Sequence, residues 1–363
     1  MPDPQRLLTF IQNRLDEFLD ARTTILARVA HEATEFSGFS REFLSGGKRF
    51  RARFCHQGWF AVTGESATDA SSPIVGAGAA LEIFHAAALV HDDIIDNSDT
   101  RRGRPSAHRR FEAQHRDAAW AGDSAEYGRS AAILLGDLLL GWSDELLDDA
   151  LAALHDAEAA RSARDEFRRM RTEVTAGQFL DILEEQSWST HSDAEQIQRA
   201  ETVATFKSAK YSIEAPLSLG ALAGGGSHEQ IGALRAYGLP LGIAYQLRDD
   251  LLGVFGNSTV TGKPSGDDLR EGKRTVLIGL TRTAVSTQQR AELDRLLGNP
   301  ELTDADIERV QTMIRESGAE ARLEERISDE VSKATSALED APMNATAVDG
   351  LMALADAVTQ RDA

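Results

Sequence analysis

Scarcity says much about this chain of 363 residues. It holds one cysteine, Cys55, which excludes an internal disulfide framework and fits a reducing compartment. Prolines number nine, and most stand at prospective breaks between helices. Alternating β-branched runs are nearly absent, which leaves little from which to build a sheet. Basic residues are in deficit, 39 Lys and Arg against 58 Asp and Glu, for a formal net charge of −19. A nucleic-acid backbone needs a basic footprint, so nucleic acid is not the expected partner, and neither is an anionic membrane surface. No apolar run approaches the roughly 18 residues that a membrane span requires. Met1-Pro2-Asp3-Pro4-Gln5-Arg6 lacks an apolar signal core. An acidic, soluble, cytoplasmic protein without an integral membrane segment is expected.

What is plentiful is Ala, Leu, Arg, Asp and Glu, all but Asp good helix formers, and the 42% of apolar residues can fill a sizeable core. The fold class expected is all-α, in one domain spanning 1–363. From Pro4 to about Ser37, Leu7, Leu8, Ile11, Leu15, Phe18 and Leu19 recur at helical spacing, as in a packing or dimer helix. Gly46-Gly47-Lys48-Arg49-Phe50-Arg51 makes a tight turn and opens a helix. Residues 74–96 form a long apolar helix that Gly103-Arg104-Pro105 breaks. Gln114 to Gly128 reads as a polar surface loop or lid edge, which puts His108 and His115 on the surface. Helices are expected over Ser130–Ala150, over 161–186, and over His191–Ala223 with a kink at Pro216. Gly224-Gly225-Gly226-Ser227 is a turn. Gly238-Leu239-Pro240 precedes the next helix, and a glycine-rich loop follows from Gly253 to Gly272.

Two stretches carry the chemistry. In Leu89-Val90-His91-Asp92-Asp93-Ile94-Ile95-Asp96 an apolar helix abruptly gains three carboxylates, and Arg101-Arg102-Gly103 follows. Asp92 and Asp96 are one turn apart and share a face. Carboxylates gathered this way repel one another unless a cation sits among them. Their oxygens suit Mg²⁺, which is commonly held by one or two carboxylates plus substrate phosphates. Tyr245-Gln246-Leu247-Arg248-Asp249-Asp250-Leu251-Leu252-Gly253 repeats the pattern on a second apolar helix. One acid pair on a helix is ordinarily a solvated face. Two such pairs at the ends of apolar helices make that reading poor, and two facing acid sets suit several Mg²⁺ ions clamping a diphosphate.

With these residues the chain resembles the trans-isoprenyl diphosphate synthases of the polyprenyl synthetase family, most like bacterial geranylgeranyl diphosphate synthases. The family's Asp-Asp-x-x-Asp followed by Arg-Arg-Gly is matched by Asp92, Asp93, Asp96, Arg101, Arg102 and Gly103. Gly-Gly-Lys-x-x-Arg is matched by Gly46, Gly47, Lys48 and Arg51, and Gln-x-x-Asp-Asp by Gln246, Asp249 and Asp250. A Lys-Thr pair appears as Lys207-Ser208, and a Gly-Gln-x-x-Asp-like segment as Gly177, Gln178 and Asp181. Order and spacing agree over roughly residues 40–280. Gly253 departs from the pattern, standing where the second motif usually has its third aspartate.

The resemblance implies a helical bundle around a deep central cavity. It also implies Mg²⁺-dependent condensation of isopentenyl diphosphate with an allylic diphosphate. Asp92, Asp93, Asp96, Asp249 and Asp250 are the expected metal residues, with several ions per site. Lys48, Arg51, His85 and Arg102 suit the diphosphate that stays attached. Arg101, Lys207, Lys263 and Lys273 suit the one that departs, with Gly262-Lys263 and Gly272-Lys273 in a lid loop. Gln178, Gln246 and Ser208 offer dipoles to a carbocation, and Asp181 is a candidate to order Lys207. His91 is expected to be a hydrogen-bonding neighbour of the acids, and Asp267-Asp268 a solvated or salt-bridged pair. Ala87 and Ala88, one turn before Asp92, are the expected floor for the growing product, with Phe84 below them. Small residues there point to a C20 product, a longer or C15 chain being the alternative, and Ala87→Phe is expected to shorten it. A class I terpene cyclase needs no isopentenyl diphosphate site, and non-catalytic subunits tend to lack an acid motif. Both are weaker readings. A homodimer is expected.

Overall fold

A computed structural model describes residues 4–101, 103–256, 265–299 and 301–359. The described chain is helical as expected, save an antiparallel ladder in which Thr100 pairs with Pro105 and Arg101 with Arg104. It divides into two compact units, Met1–Asp165 with Pro216–Ser227, and Glu166–Ala215 with His228–Ala363.

The first unit is built on α4, Pro73–Ile95, which packs against α1 (Pro4–Val29), α3 (Phe50–Thr63) and α6 (Ser124–Ala152). Proline at its first position fits a helix start. Its small residues let the neighbours come close. A Cβ on Gly76 would stand 2.7 Å from the Ala150 Cβ, and one on Gly78 3.2 Å from the Ala52 Cβ. By length and composition α4 could cross a membrane, contrary to the reading of the sequence as having no such run. Yet 72% of its apolar window is buried, as befits a core helix. On α1, Leu7, Ile11, Leu15, Phe18 and Leu19 are buried as the periodicity predicts.

One expectation holds only in part. Within Gln114 to Gly128 the exposed loop is confined to residues 118–123, since α5 spans Ala107–Asp117 and α6 already starts at Ser124. His108 and His115 are buried, not superficial. The cause is close packing of α5 on α6, where a Gly128 Cβ would lie 2.4 Å from the His108 carbonyl oxygen. His115 Nε2 lies 3.1 Å from the Ala121 carbonyl, and its ring meets Trp120 and Tyr127.

The second unit holds most of α7 (Ala157–Ser187), α8 (Asp193–Val203), and α10 (His228–Phe255). Helices Val276–Ala284, Thr287–Leu296, Asp304–Glu316 and Ala319–Ser336 surround a core that includes Leu247, Leu251, Leu269, Leu277, Leu293, Ile314 and Leu323. Ser192 and Glu195 cap α8 reciprocally. Two boundaries differ from expectation. Gly238-Leu239-Pro240 lies inside α10 rather than before it, in a stretch held by the buried Tyr237 hydroxyl, which donates to the Leu351 carbonyl at 2.6 Å. The helix expected over His191–Ala223 is not uniform, for it widens into a π-helical stretch over Ala204–Glu214. Pro216, with no N–H to give, follows directly.

Candidate active site

In the first unit, Gly46 and Gly47 take positive φ values of 70° and 83°, and Arg49 is left-handed at 46°. A non-glycine residue pays for that conformation. Here the buried Arg49 guanidinium donates to Gln12 Oε1 at 2.5 Å and to the Leu44 carbonyl at 2.6 Å. This anchor leaves Lys48 exposed just before α3 and Arg51 half-buried in its first turn. Glu82 of α4 accepts from the Ala52 N–H at 3.3 Å, fastening the start of α3 to the turn of α4 that precedes His85. Lys48, Arg51 and His85 are thus brought to adjoining turns. Arg102 lies outside the described residues.

The first acid motif divides by face. His85, Ala88, Leu89, Asp92 and Asp96 form a partly open stripe along α4, whereas Ile83, Phe84, Ala86, Ala87, Val90 and Asp93 are buried. Asp93 accepts from Arg101 Nε at 2.9 Å and also from Nη2, and Arg101 lies 3.7 Å from Asp92. The Asp93 carbonyl further accepts from the Ser98 N–H at 2.9 Å. Asp93 therefore folds Arg101 back onto the helix end, while Asp92 and Asp96 look outward. His91 turns the other way, as a hydrogen-bonding neighbour: its Nε2 is 3.3 Å from the Ile133 carbonyl and 3.7 Å from Asp137. Its ring occupies the notch that Gly136 leaves, where a Cβ would come within 2.2 Å.

Helix electrostatics tests whether a cation belongs here. α4 ends on Asp92, Asp93 and Asp96 with no basic residue in its last turn. Carboxylates at a helix C-terminus oppose its dipole, at a cost of about 0.3–1 kcal/mol each. Arg101 answers Asp93, and a divalent cation with phosphate oxygens suits Asp92 and Asp96. Among the described residues no three His, Cys, Asp or Glu side chains form a cage of their own. Mg²⁺ is usually held by one or two carboxylates, with water and substrate oxygens completing its shell.

The second unit repeats the division. On α10, Asp249 is exposed and Asp250 is buried. Asp250 accepts from Gln246 Nε2 at 2.7 Å. Burial pushes its carboxyl up to about 7, against the lowering influence of the Gln246 hydrogen bond.

Lys207 and Ser208 lie on the π-helical stretch, a local widening often found at functional sites. Gly177 of α7 presses on its backbone, and a Cβ there would stand 2.4 Å from the Lys207 nitrogen. This contact sets the α7 backbone at Gly177, the neighbour of Gln178, against the Lys207 backbone. Asp181, one turn further along α7, accepts from Lys207 Nζ at 2.5 Å and from Lys273 Nζ at 3.2 Å. Burial works against its charge, but the two ammonium groups outweigh it and hold the carboxyl below its usual range. Lys273 also donates to Glu185 at 2.8 Å. The next residue, Arg274, stacks on Trp188 at 3.8 Å, so the segment bearing Lys273 is fixed from behind. Lys263 and its neighbour Gly262 lie outside the described residues.

Sequence reasoning missed Arg49, Glu82 and Glu185. Glu185 had a signal, since it falls one helical turn after Asp181 on the same face. Arg49 had none, because a left-handed arginine leaves no mark in the pattern.

Residues 34–314 match the family model for polyprenyl synthetase. A geranylfarnesyl diphosphate synthase of Aeropyrum pernix is 31% identical over 87% of this chain and 91% of its own. A geranylgeranyl diphosphate synthase of Saccharolobus solfataricus is 31% identical over 75% of this chain and 74% of its own. Among solved structures, geranylgeranyl pyrophosphate synthase from Corynebacterium glutamicum, complexed with isoprenyl diphosphate and magnesium, is 40% identical. It aligns with a TM-score of 0.92 over 99% of this chain and 100% of the other. The chain belongs to the polyprenyl synthetase family and is an all-helical prenyltransferase.

Proposed function

We propose that this prenyltransferase joins isopentenyl diphosphate to dimethylallyl, geranyl and farnesyl diphosphate in turn and releases geranylgeranyl diphosphate, C20. The observation that carries the reading is the fastening of the start of α3, beside Lys48 and Arg51, to the turn of α4 before His85, on the unit that bears the first acid motif. A cyclase that consumes one diphosphate has no use for it.

Asp92, Asp96 and Asp249 are the residues suited to Mg²⁺, which when bound neutralises the departing diphosphate. Lys207, Lys273 and Arg101 add direct positive charge to that diphosphate, so its carbon–oxygen bond breaks with the negative charge already balanced. Lys263 joins them in the same role. Lys48, Arg51, His85 and Arg102 grip the isopentenyl diphosphate at both ends of its charge and hold its double bond towards the allylic carbon. Gln178, Gln246 and Ser208 offer oxygen dipoles to the allylic cation. A new carbon–carbon bond forms, and the released diphosphate takes the proton that the product loses. Asp93 and Asp250 act behind the reacting groups, Asp93 through Arg101 and Asp250 through Gln246.

For product length we propose Ala88 as the floor residue, because it lies on the same open stripe as Asp92. Ala87 and Phe84 support it from the buried side. The protein works as a homodimer in the cytoplasm: Ile133 and Leu134 of α6, and Phe179 of α7, are large apolar side chains left exposed, as a second copy would cover them.

The test is incubation of the purified chain with Mg²⁺, radiolabelled isopentenyl diphosphate and each allylic primer, followed by chromatography of the products. C20 diphosphate is expected from all three primers. Labelled hydrocarbons would indicate a cyclase, and no product without a second protein a subunit. Chains beyond C20 would refute the length assignment alone.

A further inference from the structure

We propose that Asp268 supplies a carboxylate beside Asp249 on the second metal-binding face, in place of the side chain that Gly253 lacks. The inference rests on the Mg²⁺-dependent reading above and deepens it.

Gly253 lies one helical turn after Asp249 on α10, so the two positions share a face. A carboxylate borne by residue 253 would join Asp249 there. The backbone at 253 is instead capped by Asp268. A Cβ built on Gly253 would meet Asp268 Oδ2 at 2.0 Å, Cγ at 2.3 Å and Oδ1 at 2.7 Å. The whole carboxylate of Asp268 thus fills the space into which a side chain at 253 would grow. The glycine is no simple loss of an acid; it is the room that an acid from another element occupies.

That acid is firmly held. It sits on the short helix Asp267–Glu271, which packs on α10. Its neighbour Leu269 is buried in the core of the unit. The Asp268 carbonyl accepts from the Lys273 N–H at 3.0 Å, and the Leu269 carbonyl from the Gly298 N–H at 2.9 Å. Gly266, with φ of 74°, lies against Ile307, and Gly272, with φ of 78°, against Gly298. Gln311 ties both sides together, donating to the Val254 carbonyl at 2.6 Å and to Ser265 Oγ at 3.2 Å. A carboxylate fixed by such packing is preorganised, as a metal-facing group should be. Asp267, the adjacent acid, makes no such approach to Gly253.

The test measures binding and needs no turnover. Mn²⁺ is titrated into the full chain in the presence of inorganic diphosphate, and free Mn²⁺ is read by its electron paramagnetic resonance signal. Asp268→Asn is expected to weaken Mn²⁺ binding by about tenfold, at the lower end of what loss of a supporting metal-site group costs. Asp267→Asn is expected to leave it unchanged. The exchange variant Gly253→Asp/Asp268→Gly, which moves the acid back onto α10, is expected to recover binding. Equal affinity in wild type and Asp268→Asn overturns the proposal. So does an equal loss in Asp267→Asn, which would reduce the effect to overall charge. If the wild type elongates no primer while Mn²⁺ binding still depends on Asp268, the prenyl-transfer reading fails and this assignment stands.

Discussion

Asp181→Asn removes an anion that Lys207 and Lys273 share. The wild-type arrangement is partly desolvated, with side-chain exposures of 12% for Asp181, 24% for Lys207 and 11% for Lys273. Removing one partner of a fully buried ion pair costs about 3–5 kcal/mol, because the remaining charge stays uncompensated. Lys273 keeps Glu185, and asparagine can still accept one hydrogen bond. A loss of about 2 kcal/mol is therefore expected, or roughly 2–3 °C in Tm for a chain of this size. Inorganic diphosphate should restore more of that loss in the variant than it adds to the wild type, since phosphate oxygens replace the missing carboxylate. The assay is thermal denaturation followed by far-ultraviolet circular dichroism, with and without diphosphate. Because the native Asp181 carboxyl lies below its usual value, its stabilisation is present above the unfolded-state value of about 4 and is lost as pH falls through the native value. The gap between wild type and variant should close on acidification. Equal melting of the two proteins at neutral pH, or equal stabilisation by diphosphate, would refute the reasoning.

Gly177→Ala drives a methyl group into the backbone at Lys207, which cannot retreat as a side-chain tip can. A loss of about 1–3 kcal/mol is expected, together with a kcat decrease that Gly220→Ala, which presses on the Cys55 backbone, does not reproduce in proportion to its own destabilisation. Burial pushes the His56 imidazole down to about 4, and its Nε2 accepts from the Ala67 N–H, so it folds neutral. The unfolded chain binds that proton below about 6.5, so stability should fall by up to about 3 kcal/mol between pH 6.5 and 4, and His56→Gln should flatten that slope in denaturant titrations. Ala88→Phe should shorten the product to C15. Ala87→Phe, at a fully buried position, should mainly lower Tm, by an overpacking cost of about 1–3 kcal/mol; unchanged product length in Ala88→Phe would remove Ala88 as the floor.

The all-helical architecture was legible because apolar residues recur at helical spacing from α1 onward and because α4 and α10 are apolar until their acids begin. The acids themselves were legible for the same reason: charge on an otherwise buried helix demands an explanation. Where reading failed, polar residues were doing buried work. α5 turns His108, Glu112 and His115 inward, with Glu112 paired to Arg109 at 2.8 Å, so its buried face looks like a solvated loop in one dimension. The π-helical stretch also has no sequence signature. It arises where Gly177 and Gly242 let α7 and α10 press on the backbone around Lys207 and Ala209, a tertiary cause. Gly253 was legible as a missing acid but not as a receptacle, because Asp268 reaches it from a separate helix.

The two acid pairs show one solution reached with different partners. Adjacent residues on a helix point about 100° apart, so a pair at the edge of a buried face must send one carboxylate out and one in. Asp92 and Asp249 go out. Asp93 and Asp250 go in, where an unpaired charge would be costly. Asp93 meets a guanidinium, which fixes Arg101 at the helix end. Asp250 accepts from the Gln246 amide, and burial raises its carboxyl to about 7. On the proposed reading the inner acid acts on a neighbour in each case, on Arg101 in the first unit and on Gln246 in the second. On that account the second acid of each pair is needed for its position behind the site, and the outward face is completed elsewhere, by Asp96 one turn along α4 and by Asp268 over Gly253.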